Sequence, residues 1–422
     1  MSFGSQDSFS EVSSQSWLGR LGESIKGVIF GLILFVLAFP LLWWNEGRTI
    51  RTARGLQELG HEVVSVEADR VDPANNDKPV HITVQATSDE TLTDTVFNVA
   101  TKGIKLARRV SMYQWREHQQ SETKKKLGGG TETVTTYTYD KGWSGDPQNS
   151  SGSKQFEFHV QSGDQVKGVG GAGGAGDVQD SRNFKHPEGH QNPAQPKFPN
   201  EEKVAAKVAL GAFTLSPGLV RQLNQFEDLP ISNDDLARMP EDVRKEVKLD
   251  AGRLYVGNDP GSPQVGDLRI QFRVVKPAVV SILAKQSGQT FAPWRSHSGT
   301  DVERLITGTV DAQGMVHVME RENAMLKWML RLAGYILMAL GIGLLLNPLV
   351  TVADVVPLLG NLLGMGVAIT AGLIAAFFTL VTIALAWIAY RPLVGIGLLV
   401  AAVAIVVLAK TLAGGRKRVA AP

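Results

Sequence analysis

Residues 27–44, GVIFGLILFVLAFPLLWW, form an unbroken run without a charged side chain. At about 1.5 Å of rise per residue, a helix of this length covers roughly 27 Å, close to the ~30 Å hydrocarbon core of a bilayer. Trp43 and Trp44 close the run where interfacial aromatic side chains anchor a span. A cleaved signal peptide is the competing reading. The run is longer than an h-region and no small-x-small site follows it, so the pattern predicts an uncleaved anchor. Three apolar stretches fill the C-terminal part. Residues 332–353 carry no charge. Residues 355–390 carry none either and exceed one untilted span. They divide into a short interfacial or re-entrant piece within 354–365 and a span over 366–390. After Arg391-Pro392, residues 393–409 form the last run, ahead of a basic tail over 410–422. One span plus three puts both termini on one side.

Between the runs, residues 45–331 are polar and alternate with period two in several places. Val80, Ile82, Val84 and Ala86 face one way, with His81, Thr83 and Gln85 opposite. Residues 268–274 repeat the design, with Arg269, Gln271 and Arg273 on the wet face. Residues 131–139 are rich in Thr and Tyr, and 278–285 read as a further strand before a turn at Gly288. Ser216-Pro217 opens a short helix with Leu219, Leu223 and Phe226 on one face, Pro240 opens another, and Asn323 onward continues as helix into the second span. Residues 145–180 read as a flexible Gly-rich insert and 1–24 as a flexible tail. The expected fold is a multi-pass α-helical membrane protein, one N-terminal plus three C-terminal spans (25–44, 332–353, 366–390, 393–409). A large β-rich α+β domain lies between them.

The chain has 422 residues, 20% of them charged. The charges are concentrated between the apolar runs, which excludes a uniform soluble protein. A net charge of +2 gives no bulk attraction to nucleic acid. Cysteine is absent, which excludes disulfides, thiolate metal sites and Cys nucleophiles. Positive charges near the two ends of the spans are nearly balanced, and the basic tail tilts the orientation toward cytoplasmic termini.

Several features invite a chemical reading. Gly27 and Gly31, Gly360 and Gly364, and Gly372 and Ala376 are small-residue pairs that permit close helix approach, either between copies or within one bundle. Gly168 to Gly173 match G-x-G-x-x-G but lack the strand and helix that a dinucleotide site requires. His186 and His190 have metal-ligand spacing, yet Pro187 and Gly189 between them argue for a turn. Lys124-Lys125-Lys126 followed by glycines suits a solvated hairpin tip. Tyr113-Gln114-Trp115 suits core or interface better than a ligand stack. Arg48, Arg51 and Arg54 follow the first span at helical spacing, as an interfacial anchor or as a contact for anionic lipid headgroups. The residues show no catalytic, metal or cofactor constellation.

Five segments in register resemble the LUMA family, also called transmembrane protein 43. These are Asn45-Glu46-Gly47-Arg48 after the first span; RRVSMYQW, ending in Met112-Tyr113-Gln114-Trp115; Asn183-Phe184 with Gly189-His190-Gln-Asn192-Pro193; Gln264-Val265-Gly266-Asp267-Leu268-Arg269, expected inside a strand; and AWIAYRPL with Tyr390-Arg391-Pro392. Ser111 departs from the family, which has Glu there, and so does the Gly-rich insert. The resemblance implies a multi-pass protein of internal membranes, among them the endoplasmic reticulum and inner nuclear membrane, with the large domain lumenal. It implies self-association, scaffolding of other membrane proteins, and no catalytic activity or cofactor. The Gly/Ala-rich, Cys-free composition points to a bacterial member, set in the inner or plasma membrane, in which the lumen corresponds to the periplasm or cell exterior. The expected partners are the lipid bilayer, further copies of the chain and other membrane proteins. The rival readings are an enzyme on lipid or envelope substrates and a channel or channel regulator.

Overall fold

The computed structural model describes residues 7–145, 183–186 and 188–390. The fourth expected span, the basic tail, the G-x-G-x-x-G match and nearly all of the Gly-rich insert lie outside these residues.

Among the described residues, three helices are long and apolar enough to cross a membrane: α1 (Trp17–Glu62), α5 (Ala312–Ala353) and α6 (Pro357–Tyr390). Ser16 caps α1 through its side chain, which accepts from the Gly19 amide, and Asp311 caps α5 by accepting from Gly314. α1 has 46 residues, about 70 Å, so it runs far beyond its apolar section at both ends. α6 continues without a break from Pro357 to Tyr390. The separate piece expected within 354–365 is instead the turn after α5 and the first turns of α6. Pro357 sits at the helix start, where its missing N–H leaves no bond unmade.

α1 and α5 pack antiparallel, and the contact is close because both faces carry glycine. A Cβ on Gly31 would stand 2.7 Å from the Gly341 carbonyl, and one on Gly341 would stand 2.7 Å from the Gly31 carbonyl. The Gly31 face is thus filled by the same chain. Gly27 meets Leu344, Gly364 meets Val350 and Gly372 meets Tyr335, all internally. Gly360 packs on Asp354, and Ala376 is half-buried. Phe35, Phe39 and Phe378 stack edge-on where α6 joins the pair.

The region between the helices is sheet-rich. The larger sheet runs in the order β1 (Asp7–Gln15), β7 (Thr131–Ser144), β6 (Lys105–Lys125), β14 (Leu268–Val275), β13 (Arg253–Val256), β12 (Val247–Asp250). β8 (Glu201–Val204) pairs with β6 and β11 (Glu227–Leu229) with β14. The second sheet runs β16 (Thr290–Ala292), β15 (Ala278–Ser287), β3 (Pro79–Ala86), β2 (Val64–Ser65), with β19 (Arg304–Thr307) also on β15. The pairs β4 (Thr91–Asp94) with β5 (Val99–Lys102), β9 (Ala209–Leu210) with β10 (Phe213–Thr214), and β17 (Trp294–Arg295) with β18 (Asp301–Val302) are the remaining strands among the described residues. Short helices α2 (Pro217–Gln222), α3 (Asn233–Arg238) and α4 (Glu241–Glu246) edge the core.

Val80, Ile82, Ile270, Phe272, Val280 and Ile282 fill the space between the two sheets. The opposite faces are less wet than the alternation predicts. His81 is buried, with Nε2 2.9 Å from the Val310 carbonyl, and Leu283 packs with Leu56, Leu59, Met315 and Val316. The second sheet is therefore covered on both faces, and its outer face is how the domain rests on the ends of α1 and α5.

Within the tail expected to be flexible, residues 7–15 instead form β1, paired along its whole length with β7, and residues 17–24 open α1. Together β1, β7 and the outer half of β6 make a narrow polar ribbon, with hydroxyl pairs Ser10–Thr136, Ser121–Thr135 and Thr123–Thr133 across its strands. Sequence alternation gives no warning of β1, because its backbone partners rather than an apolar face hold it in place.

Candidate functional site

The resembling segments gather at two joints. The first lies where α1 leaves its apolar run. Asn45 donates to the Lys327 carbonyl at 3.1 Å, and Asn323 donates back to the Thr49 carbonyl at 3.1 Å, so two amides bracket the α1–α5 contact. One residue on, Glu46 is buried and receives Arg331 through Nε at 2.7 Å and Nη2 at 2.9 Å. Trp387 Nε1 donates to the same carboxylate at 2.8 Å, which brings in α6. The Arg331 guanidinium also stacks over Trp328, 4.8 Å from the ring centroid. A buried carboxylate is tolerated when charge and hydrogen bonds both meet it, and here three helices meet through one side chain. Gly47 leaves room for the Tyr390 ring, which lies 5.9 Å from Trp43. Arg48 is half-buried beside Thr49, Arg51 is exposed, and Arg54 donates to the Tyr390 carbonyl. Arg391 and Pro392 lie outside the described residues.

The second joint is the root of the ribbon. Asn192 accepts from the Trp115 amide at 2.8 Å and donates to the Trp115 carbonyl at 2.9 Å, so one side chain imitates a strand partner. His190 is buried, its ring stacked 4.0 Å from Tyr139 and edge-on to Trp115 at 4.7 Å. Its Nδ1 lies 2.9 Å from the His186 carbonyl. The His186 carbonyl and the His190 ring are thus joined across a turn that closes on an aromatic stack. Phe184 is buried against Tyr139, while Asn183 is exposed and Gly189 takes φ +80°. Pro193 packs on Gly266, whose amide donates to Tyr113. Residues 264–267 are a turn and not strand: Asp267 accepts from the Gln264 amide and from Tyr255, Val265 is half-buried within it, and β14 starts at Leu268. Burial and the Asp267 hydrogen bond both push the Tyr255 phenol well above its ordinary pKa. Arg269 lies over Trp143, itself packed on Tyr113, and Met112 sits in the core. Gln114 is buried.

A third cluster went unread in the sequence. The ribbon tip docks on the far ends of the helices. Asp354, fully buried, receives Arg20 from α1 at 2.5 Å and Lys125 from the ribbon at 2.7 Å. Lys125 also reaches Asn361, Arg20 donates to the Gly129 carbonyl, and the Gly128 amide donates to Val355. Gly129 has φ +79°, and a Cβ there would collide with Trp17. The lysine-rich tip is therefore docked and not merely solvated. The available signal was Asp354 itself, a lone acid among apolar runs and hence in need of cations.

Three helices long and apolar enough to cross a membrane, joined by buried ion pairs and carrying a sheet-rich domain, give the chain the build of a membrane protein. The family model described as Transmembrane protein 43 matches residues 112–165 and 175–392. Transmembrane protein 43 of Homo sapiens is 30% identical over 392 residues, 90% of this chain and 88% of the human protein. That of Mus musculus is 30% identical over 388 residues, and the Drosophila melanogaster homolog 29% over 398, covering 95% of its own length. The chain belongs to the Transmembrane protein 43 family. No solved structure matches it significantly.

Proposed function

We propose that this chain is a non-enzymatic, self-associating, multi-pass membrane protein that scaffolds other membrane proteins and organises the bilayer around it. The observation that carries the reading is the ribbon. The domain touches α1 at Gly55, Leu56 and Leu59, whereas the ribbon tip touches it at Trp17 and Arg20. The apolar run at 27–44 lies between these points, so the ribbon passes it from end to end. Ser, Thr, Gln, Glu and Lys dominate the ribbon, and among the described residues β1 is its edge strand, with no strand on its outer side. Lipid does not tolerate either, and non-helical backbone at membrane depth requires a protein or water-filled surround. Further copies of the chain supply that surround in this reading. The acids at the helix joints, Glu46 and Asp354, serve structural pairs, which leaves them no catalytic task.

The orientation proposed is cytoplasmic termini and an extracytoplasmic domain. Because the chain lacks cysteine, single cysteines report cleanly. In intact cells an impermeant thiol reagent should label Asp228→Cys in the domain and spare Leu127→Cys at the ribbon tip. Labelling of both would place tip and domain on one side and end the crossing model. Ser13→Cys on the ribbon edge should cross-link between copies in native membranes. Monomers alone, with cysteines along both ribbon edges, would remove self-association. A polar ribbon also suits a water-filled passage. Planar-bilayer conductance that changes with Glu122→Lys would move the reading to a channel.

A further inference from the structure

We infer that Arg48, Arg51 and Arg54 form a binding site for the phosphate headgroup of an anionic phospholipid, an inference that rests on α1 entering a bilayer. Trp44, Arg48 and Arg51 stand at i, i+4 and i+7 and so share one stripe of α1, with Arg54 beside it. Trp44 is exposed at the end of the apolar run. At 1.5 Å per residue Arg48 lies about 6 Å and Arg51 about 10 Å past it. The headgroup layer adds roughly 5–8 Å to each face of the core, so both guanidinium groups reach phosphate level.

The second observation is the absence of counter-charge. Among the described residues, no carboxylate forms an ion pair with any of the three arginines. Glu46 is taken by Arg331 and Trp387, and Glu58 by His297. Arg48 is half-buried: its Nε is enclosed without a partner, and its Nη2 spends one bond on Thr49, so the guanidinium tip is the part left for a ligand. Arg54 donates to the Tyr390 carbonyl, which holds it over the α6 end. An arginine fork with open donors, partly withdrawn from water and set at headgroup depth, matches the oxygens of a phosphate diester. The Tyr390 and Trp43 rings form an apolar lip beside it, suited to the glycerol and upper acyl carbons.

The test uses the full chain in a neutral detergent, titrated with short-chain phosphatidylglycerol, with phosphatidylcholine of the same chain length, and with inorganic phosphate. The readouts are the thermal midpoint and retained lipid in native mass spectra. Phosphatidylglycerol should raise the midpoint and remain bound as adducts. The triple variant Arg48→Gln, Arg51→Gln, Arg54→Gln should need at least about tenfold more of it, whereas Arg321→Gln elsewhere on α5 should behave as the parent. If the triple variant lowers the ligand-free midpoint, Arg51→Gln carries the test alone, since its side chain is exposed. Equal response of parent and variant, or equal response to phosphatidylcholine, overturns the site. A full response to inorganic phosphate alone overturns the lipid assignment in favour of a free anion. None of these readouts depends on membrane orientation or on copy number, so they fail separately from the scaffold reading.

Discussion

Arg331 meets Glu46 edge to edge, Nε on one carboxylate oxygen at 2.7 Å and Nη2 on the other at 2.9 Å, although 285 positions separate them. The pair is the fixed point of the helix bundle. Arg331→Met should leave a buried carboxylate with only Trp387 for company and destabilise the protein by about 3–5 kcal/mol. The double variant with Glu46→Gln should recover most of that loss. Detergent-unfolding titrations of the single and double variants check this; a double variant worse than the single would sink it.

At Gly31 the contact between α1 and α5 is backbone against backbone. Gly31→Leu should force the helices apart and destabilise by at least about 1–3 kcal/mol, whereas Gly27→Leu, facing Leu344 at ordinary distance, should be mild. Because the Gly31 face is occupied internally, oligomer size in mild detergent should change only after stability does. Sedimentation and limited proteolysis on one preparation separate the two effects.

Much of the sheet was legible because its strands keep one apolar face. Ile82 and Ile270 mark β3 and β14 by alternation alone, and Ser216 with Pro217 marks α2 by its cap. What alternation does not carry is pairing. β1 is mostly polar, and nothing in Phe9 or Val12 announces that Tyr137 and Val134 lie opposite them. The joints were half legible. Glu46 and Asp354 are conspicuous as acids beside apolar runs, but their partners Arg331, Trp387, Arg20 and Lys125 become neighbours only when antiparallel helices and a long hairpin bring them together.

The Glu58 carboxylate, 2.6 Å from His297 Nδ1, raises that imidazole above its ordinary value. A raised folded value means the contact contributes fully below the unfolded pKa of about 6.5 and is lost as pH climbs through the folded one. Glu58→Gln should return the His297 titration toward about 6.5. Side-chain NMR of labelled histidine reads this, and an unchanged midpoint would refute the pairing.

Asn192 holds both backbone groups of Trp115. Asn192→Ala should leave that amide and carbonyl without these bonds, a loss of about 1–3 kcal/mol concentrated at the ribbon root. Proteolysis within residues 116–139 should accelerate well before the rest of the domain is cut; uniform protection would count against a hinge there.

The ribbon is held at His190 and Asn192 at one end and at Asp354 at the other. Between Tyr113 and Lys125 it has a set length of about 40 Å at the usual strand rise. It therefore works as the arm of a caliper laid along the helices. α1 and α6 cannot slide far along their axes past the arm while both jaws stay shut, because paired strands hold the arm's length. Any such sliding becomes shear at Asp354 or at the aromatic root, and the sheet that continues from the arm into the domain receives that shear directly.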